Sequence, residues 1–156
     1  MLVKLHLECK PFDALTSIAL HDIFALRSEV FVVEQNCIYQ DIDGKDPQAL
    51  HLIGKLHNQI VLYARLFGPD IAYPGYASIG RILTAFSCRG KSYGHQLMAY
   101  AIQQCTFNFP DCPIKISAQA HLEKFYNQHR FFATGESYLE DGIPHIGMIH
   151  DGKHFV

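Results

Sequence analysis

"AFSCRGKSYGHQLMAYAIQQC", residues 85–105, is the stretch whose reading decides the fold. Taken from Ala85, it fits a loose Walker A pattern, with four residues before Gly90-Lys91-Ser92. Taken from Arg89, it is "RGKSYG", a different turn that runs into an amphipathic helix. Both readings place a turn at a helix N-terminus. The first N–H groups there have no partner within the helix, and the helix dipole favours an anion. The two readings differ in what must surround the turn.

Working outward, Tyr93, Leu97, Met98, Ala101, Ile102 and Cys105 form one helical stripe, which Pro110 ends. "YASIGRILT", residues 76–84, is the strand before the turn. "ALHLIGKLHNQIVLYARLF", residues 49–67, is a β-hairpin turning near His57-Asn58-Gln59. Upstream, residues 3–8 alternate like a half-buried strand. A helix follows from Pro11 and Asp13, with Leu15, Ile18, Ala19, Ile23, Leu26 and Val30 near a 3.6-residue period. "EQNCIYQDIDGKDP", residues 34–47, is polar and reads as an exposed loop. Downstream come the strand "PIKISAQ", the short helix "AHLEKFYNQH", the strand "RFFATGE" and a closing strand "PHIGMIHD". The order predicts an α/β fold of the mixed, α+β kind: one domain over residues 1–156, with a largely antiparallel sheet flanked by helices.

That setting disfavours the Walker reading. A Walker A loop follows a strand of a parallel sheet and needs a later strand ending in Asp to hold magnesium. Here the later strand ends in Ser117-Ala118-Gln119, and antiparallel hairpins precede the turn. A nucleotide-phosphate enzyme is therefore the least favoured reading.

Composition bounds the rest. The chain has 156 residues, 49% hydrophobic and 18% charged, with a net charge of −2. This is a globular domain with room for one core, and it lacks the basic excess of a nucleic-acid binder. No apolar run approaches a membrane span, and the N-terminal residues lack a signal-peptide core, so a cytoplasmic location with reduced thiols is expected. Ten histidines include His145, His150 and His154 in one segment, but no H-E-x-x-H is present and no metal site is expected.

"RGKSYG", after a strand and before a helix, resembles the acyl-CoA pyrophosphate loop of the GNAT superfamily of N-acyltransferases, usually written Q/R-x-x-G-x-G/A. Arg89 and Gly94 match, and Ser92 replaces the middle Gly. "AQAHLEKFYNQHRFF", residues 118–132, is similar to the superfamily's later block. "LRSEVFVVEQNCIYQDIDGKD", "AQAHLEKFY" and "EDGIPHIGM" resemble the ElaA-like group. Gln119 stands where many members have Asn. Arg130 stands where a Gly usually ends the helix.

The resemblance implies acetyl transfer from acetyl-CoA to an amine, on a small molecule or a protein, by direct attack in a ternary complex. The alternative is a non-catalytic acyl-CoA-binding module. Arg89, Gly90, Lys91, Ser92, Tyr93 and Gly94 would surround the pyrophosphate. Ile82, Leu83 and Thr84 would pair with the pantetheine arm, and Gln119 would contact it. Tyr126 would be the general acid toward the leaving thiolate. For the base that takes the amine's proton, Glu34, Asp41, Asp43 and His145 stay open. Arg81 would orient an acidic acceptor or pair with a carboxylate. Cys37 and Cys88 are read as packing or surface thiols. The four acids and one Lys of residues 34–46 make a cationic amine or polyamine an attractive acceptor. Assembly as a homodimer is left open.

Overall fold

The computed structural model describes residues 3–153. Among them, seven strands form one sheet in the order β1-β2-β3-β4-β5-β7-β6. The strands are β1 (His6–Pro11), β2 (Leu50–Leu56), β3 (Gln59–Phe67), β4 (Ala77–Thr84), β5 (Ile114–Gln119), β6 (Phe132–Glu140) and β7 (Ile143–His150). The helices are α1 (Ser17–Arg27), α2 (Tyr93–Asn108) and α3 (Glu123–Asn127). All neighbouring strands are antiparallel except β4 and β5, as the element order predicts.

Several expected boundaries move. The first strand is His6–Pro11, not residues 3–8, because its register is set by pairing with β2, from His6 opposite Lys55 to Pro11 opposite Leu50. The first helix begins at Ser17. Thr16 caps it by accepting the Ala19 N–H at 3.0 Å. Pro11 instead precedes a single 3-10 turn. After Arg27 the backbone widens into a π-helical stretch, Ser28–Glu34. Ile18, placed on the apolar stripe by periodicity, is 74% exposed. The β2–β3 turn is as expected, with His57 and Asn58 both at positive φ, the geometry that matches strand twist.

α2 lies on one face of the sheet. Leu97, Met98, Ala101, Ile102 and Cys105 pack there against Leu62, Ala64, Ile79, Ile114, Ile116 and Ala118. Each such buried Leu, Ile or Met side chain contributes roughly 1.5–3 kcal/mol. α1 covers the opposite face of β2–β4, with Ile23, Leu26 and Val30 on Ile53, Tyr63 and Leu83. Among the described residues, no α-helix covers that same face of β5, β7 and β6.

The segment read as an exposed loop is held to the core. Arg27, fully buried, donates from Nε to Asp41 at 2.8 Å, from Nη1 to Asp46 at 2.6 Å and from Nη2 to the Asp41 carbonyl at 3.0 Å. Arg65 grips Asp43 with two bonds of 2.9 Å and reaches Asp46 at 3.1 Å. Arg81 adds Nε to Asp41 at 2.7 Å and approaches Asp43 at 3.5 Å. Three arginines thus neutralise three aspartates. His51 completes the floor of this network: its Nε2 donates to the Asp46 carbonyl at 2.9 Å, and its Nδ1 accepts from the Tyr63 hydroxyl at 2.7 Å. Burial pushes the Tyr63 phenol up and the His51 imidazolium down, so both are neutral at pH 7.

β6 forms one edge of the sheet and is exposed along its whole length. Its pairing with β7 slips between Ala133 and Ser137, where Gly135 takes φ +95°. The bulge folds over β7: a Cβ on Gly147 would lie 2.9 Å from Thr134 Oγ1 and 3.5 Å from Glu136.

Arg27→Ala should cost about 3–5 kcal/mol by stranding Asp41 and Asp46, read as a drop in the urea midpoint. A second expectation concerns acid. Burial alone would raise the Asp43 carboxyl, but hydrogen bonds from Arg65 and the Lys45 amide hold it well below the usual range. Its folded value is thus below its unfolded one. The stabilisation is complete above pH ~4–5 and is lost as pH falls through the folded value. Asp43→Asn should therefore lower the melting temperature at pH 7, and the gap to the native chain should narrow toward pH ~2.

Candidate active site

The site begins where the two parallel strands part. β4 and β5 pair only at Ala77 with Ile114 and Ser78 with Lys115. β4 then bulges against β3: Arg65 faces Gly80, Tyr63 faces Leu83, and Arg81 takes φ +50°. From there the facing edges of the two strands carry no ladder. The Ala85 N–H donates to Val61 on β3 at 2.8 Å. By strand alternation the Leu83 amide also faces β3, while the amide and carbonyl groups of Ile82 and Thr84 face the gap. Of the three residues expected to meet a pantetheine arm, Ile82 and Thr84 thus turn their backbone toward the gap. Leu83 packs its side chain beneath α1.

The 89–94 turn lies at the end of this gap. Gly90 and Ser92 both adopt left-handed φ, +78° and +63°, and α2 starts at Tyr93 with no side-chain cap. Among the described residues, no acceptor takes the N–H groups of Gly90, Lys91, Ser92, Tyr93, Gly94 and His95. Consecutive free amides in this conformation form an anion-binding concavity at a helix N-terminus. Gly94 faces Thr84 and Phe125, at 3.7 and 3.8 Å from its would-be Cβ, so the turn closes tightly on the end of β4.

Arg89 is already engaged. Its Nη1 and Nη2 make a forked pair with Glu34 at 3.0 and 2.7 Å, and its Nε donates to the Thr84 carbonyl at 3.1 Å. Glu34, expected as a loop acid beside the acceptor, instead stands at the end of the π-helical stretch against the phosphate-type turn. Any anion that recruits Arg89 has to compete with that carboxylate.

Tyr126 projects from α3 and is 7% exposed, packed edge-on to Phe125 and Phe131. Burial pushes its phenol up to about 12, so it keeps its proton at neutral pH. No described residue bonds its hydroxyl. Gln119 ends β5 opposite His145 on β7. Arg130, where a helix-ending Gly is usual, itself takes φ +67°.

On the α1 side, the gap opens into a trough. Gly80 has nothing within 4 Å of a would-be Cβ, which leaves a hollow in the floor. Arg81, Asp41 and Tyr39 stand on one side, with the Tyr39 hydroxyl on Asp41 at 3.1 Å. Register puts Ser117, His145 and Tyr138 on the other, all on the same face of the sheet. His145 Nδ1 donates to the Ile143 carbonyl at 2.7 Å, and its Nε2 lies 3.2 Å from Glu140. The Tyr138 ring stacks on His145, and its hydroxyl bonds Ser117. The chain after the π-helical stretch reaches across, with Cys37 Sγ 3.7 Å from the Asp141 carbonyl.

The sequence reading named Arg81, His145 and Asp41 but missed Tyr39, Tyr138 and Glu140 as neighbours. Their signal was period-two spacing: Tyr138 and Glu140 share a strand face, and Glu140 is the first residue of "EDGIPHIGM". Arg81 pairs with Asp41 and Asp43, which settles its two expected roles in favour of the carboxylates. His145 and His150 lie on opposite faces of the sheet, and His154 lies outside the described residues. No group of three or more metal-binding side chains occurs among the described residues. The Walker reading does not survive the topology, since β3 and β4 before the turn are antiparallel. Among the described residues, no helix is long and apolar enough to cross a membrane.

This architecture has known counterparts. Residues 19–151 match the model of the "Acetyltransferase (GNAT) domain". An acyl-CoA N-acyltransferase of Pseudomonas aeruginosa superposes with a TM-score of 0.89 at 42% identity, covering 94% of this chain and 99% of that one. The protein ElaA of Escherichia coli is 43% identical over 134 residues, 85% of this chain and 87% of that one. A UPF0039 protein of Synechocystis is 45% identical over 139 residues, 88% of this chain and 90% of its relative. A parted strand pair ending in six free amides, matched along most of its length, places the chain in the GNAT acetyltransferase family, beside its ElaA and UPF0039 relatives.

Proposed function

We propose that the protein transfers an acetyl group from acetyl-CoA to an amine, within a ternary complex. The observation that carries this reading is the run of free amides from Gly90 to His95 at the end of a strand edge left unpaired. The amides and edge suit a ligand with a diphosphate at one end and an amide-bearing arm at the other.

In this reading the Gly90–His95 amides hold the diphosphate, and Arg89 and Lys91 add charge. The Ile82 and Thr84 backbone groups pair with the arm as an added strand would. An amide on this edge, at the β4 bulge, polarises the thioester carbonyl and stabilises the negative charge that develops on its oxygen. Gln119 closes the arm from the β5 side. Tyr126, protonated at neutral pH and with no hydroxyl partner among the described residues, donates to the sulfur as the thiol leaves. Glu34 serves as the resting partner of Arg89. That leaves His145 beside the trough to take the amine's proton. Its Nδ1 is fixed as a donor to Ile143, so Nε2 is the atom that receives it.

Two measurements test this. Wild-type protein with acetyl-CoA and a panel of primary amines should release free thiol in step with acetylated amine. Binding of acetyl-CoA without release would instead identify a non-catalytic acyl-CoA-binding module. Tyr126→Phe keeps the buried ring, so kcat should fall by about 100-fold while the KM for acetyl-CoA holds. Unchanged turnover removes Tyr126 as the acid.

A further inference from the structure

The four acids of residues 34–46 suggested a cationic acceptor, but the structure spends each of them on an arginine: Glu34 on Arg89, Asp41 on Arg27 and Arg81, Asp43 on Arg65, and Asp46 on Arg27 and Arg65. That loop has no charge left for a substrate. Across the trough the balance differs. Lys115 is taken by Glu136 at 3.2 Å, and the Lys115 ammonium also lies over the Tyr73 and Tyr76 rings. Glu140 is then the one carboxylate of the trough that no Lys or Arg pairs with among the described residues.

Glu140 is nevertheless held in place. Its Oε2 is 3.2 Å from His145 Nε2 and accepts from Ser117 Oγ at 3.4 Å. Ser117 is bonded to Tyr138, and Tyr138 is stacked on His145. Oε1 has no partner among the described residues, and the side chain is 53% exposed. The Nε2 edge of His145 and the Ser117 hydroxyl both lie against Oε2, so Oε1 is the carboxylate oxygen left open to the trough. An open carboxylate oxygen draws in a donor that carries positive charge. Tyr138 beside it offers an aromatic surface that favours a cation.

The nitrogen that attacks a thioester must be neutral, and a carboxylate bound to it would hold it protonated. Glu140 therefore suits a charge elsewhere on the acceptor. The geometry points to Glu140 as an acceptor-binding residue that receives a second, non-reacting ammonium, which makes the substrate class of this site a diamine or a longer polyamine. This inference rests on the N-acyltransferase reading above.

The test compares 1,4-diaminobutane, 1-aminobutane and 4-aminobutanoate as acceptors with acetyl-CoA, in wild-type and Glu140→Gln protein. In the wild type, kcat/KM for the diamine should exceed that for 1-aminobutane by at least about tenfold, with 4-aminobutanoate lowest. In Glu140→Gln the diamine advantage should shrink to about threefold or less. The thermal shift given by acetyl-CoA confirms that the variant is folded. Equal use of the three amines by the wild type, or a diamine preference that survives Glu140→Gln, overturns the inference and leaves the N-acyltransferase reading standing. No thiol release with any amine overturns both.

Discussion

The early parting of β4 from β5 is the constraint on which the rest of the site depends. A parallel pair bonds evenly along its length, so a gap has to be forced. Here the force is one inserted residue. The bulge at Arg81 shifts the register of β4 on β3 and swings its far half away from β5. Backbone groups that an ordinary sheet would consume are left facing an opening. The same bulge aims Arg81 at the aspartates of the preceding loop. Opening the groove and anchoring its rim are therefore one structural event.

The anchoring is electrostatic, and it is nearly neutral overall. Buried ion pairs are seldom large net contributors to stability, because desolvating both partners offsets their attraction. What Arg27, Arg65 and Arg81 supply is position. They fix three aspartates, and with them the chain between the π-helical stretch and β2, to within hydrogen-bond tolerance. Two buried atoms, Asp46 Oδ2 and Arg65 Nε, remain without a bond, so the network is not fully satisfied. A rim built this way has little residual field of its own.

The parts of the molecule legible in the sequence are those governed by local rules. The turn at 89–94, the stripe of α2, the hairpin at His57-Asn58 and the order of elements follow from periodicity and turn chemistry. The parts that were not legible are set by partners far along the chain. Arg27 lies 14 residues from Asp41 and 19 from Asp46, and Arg89 lies 55 from Glu34. Nothing local marks an arginine next to Leu26 as fully buried. The spacing Asp41-x-Asp43-x-x-Asp46 in a segment with one Lys was the available hint, since three acids so close need cations from elsewhere. The start of β1 failed for a related reason: alternation continues upstream of His6, but pairing depends on where β2 offers a partner.

The irregularity in β6 bears on how the molecule behaves in a crowd. A bare sheet edge exposes a row of amides and carbonyls that another chain can extend, which is the first step of fibre growth. In β6 the slip between Ala133 and Ser137, with its kink at Gly135, interrupts that row midway. An incoming strand could match one half or the other but not both. This edge of the sheet is thus a poor template for lateral pairing along its full length.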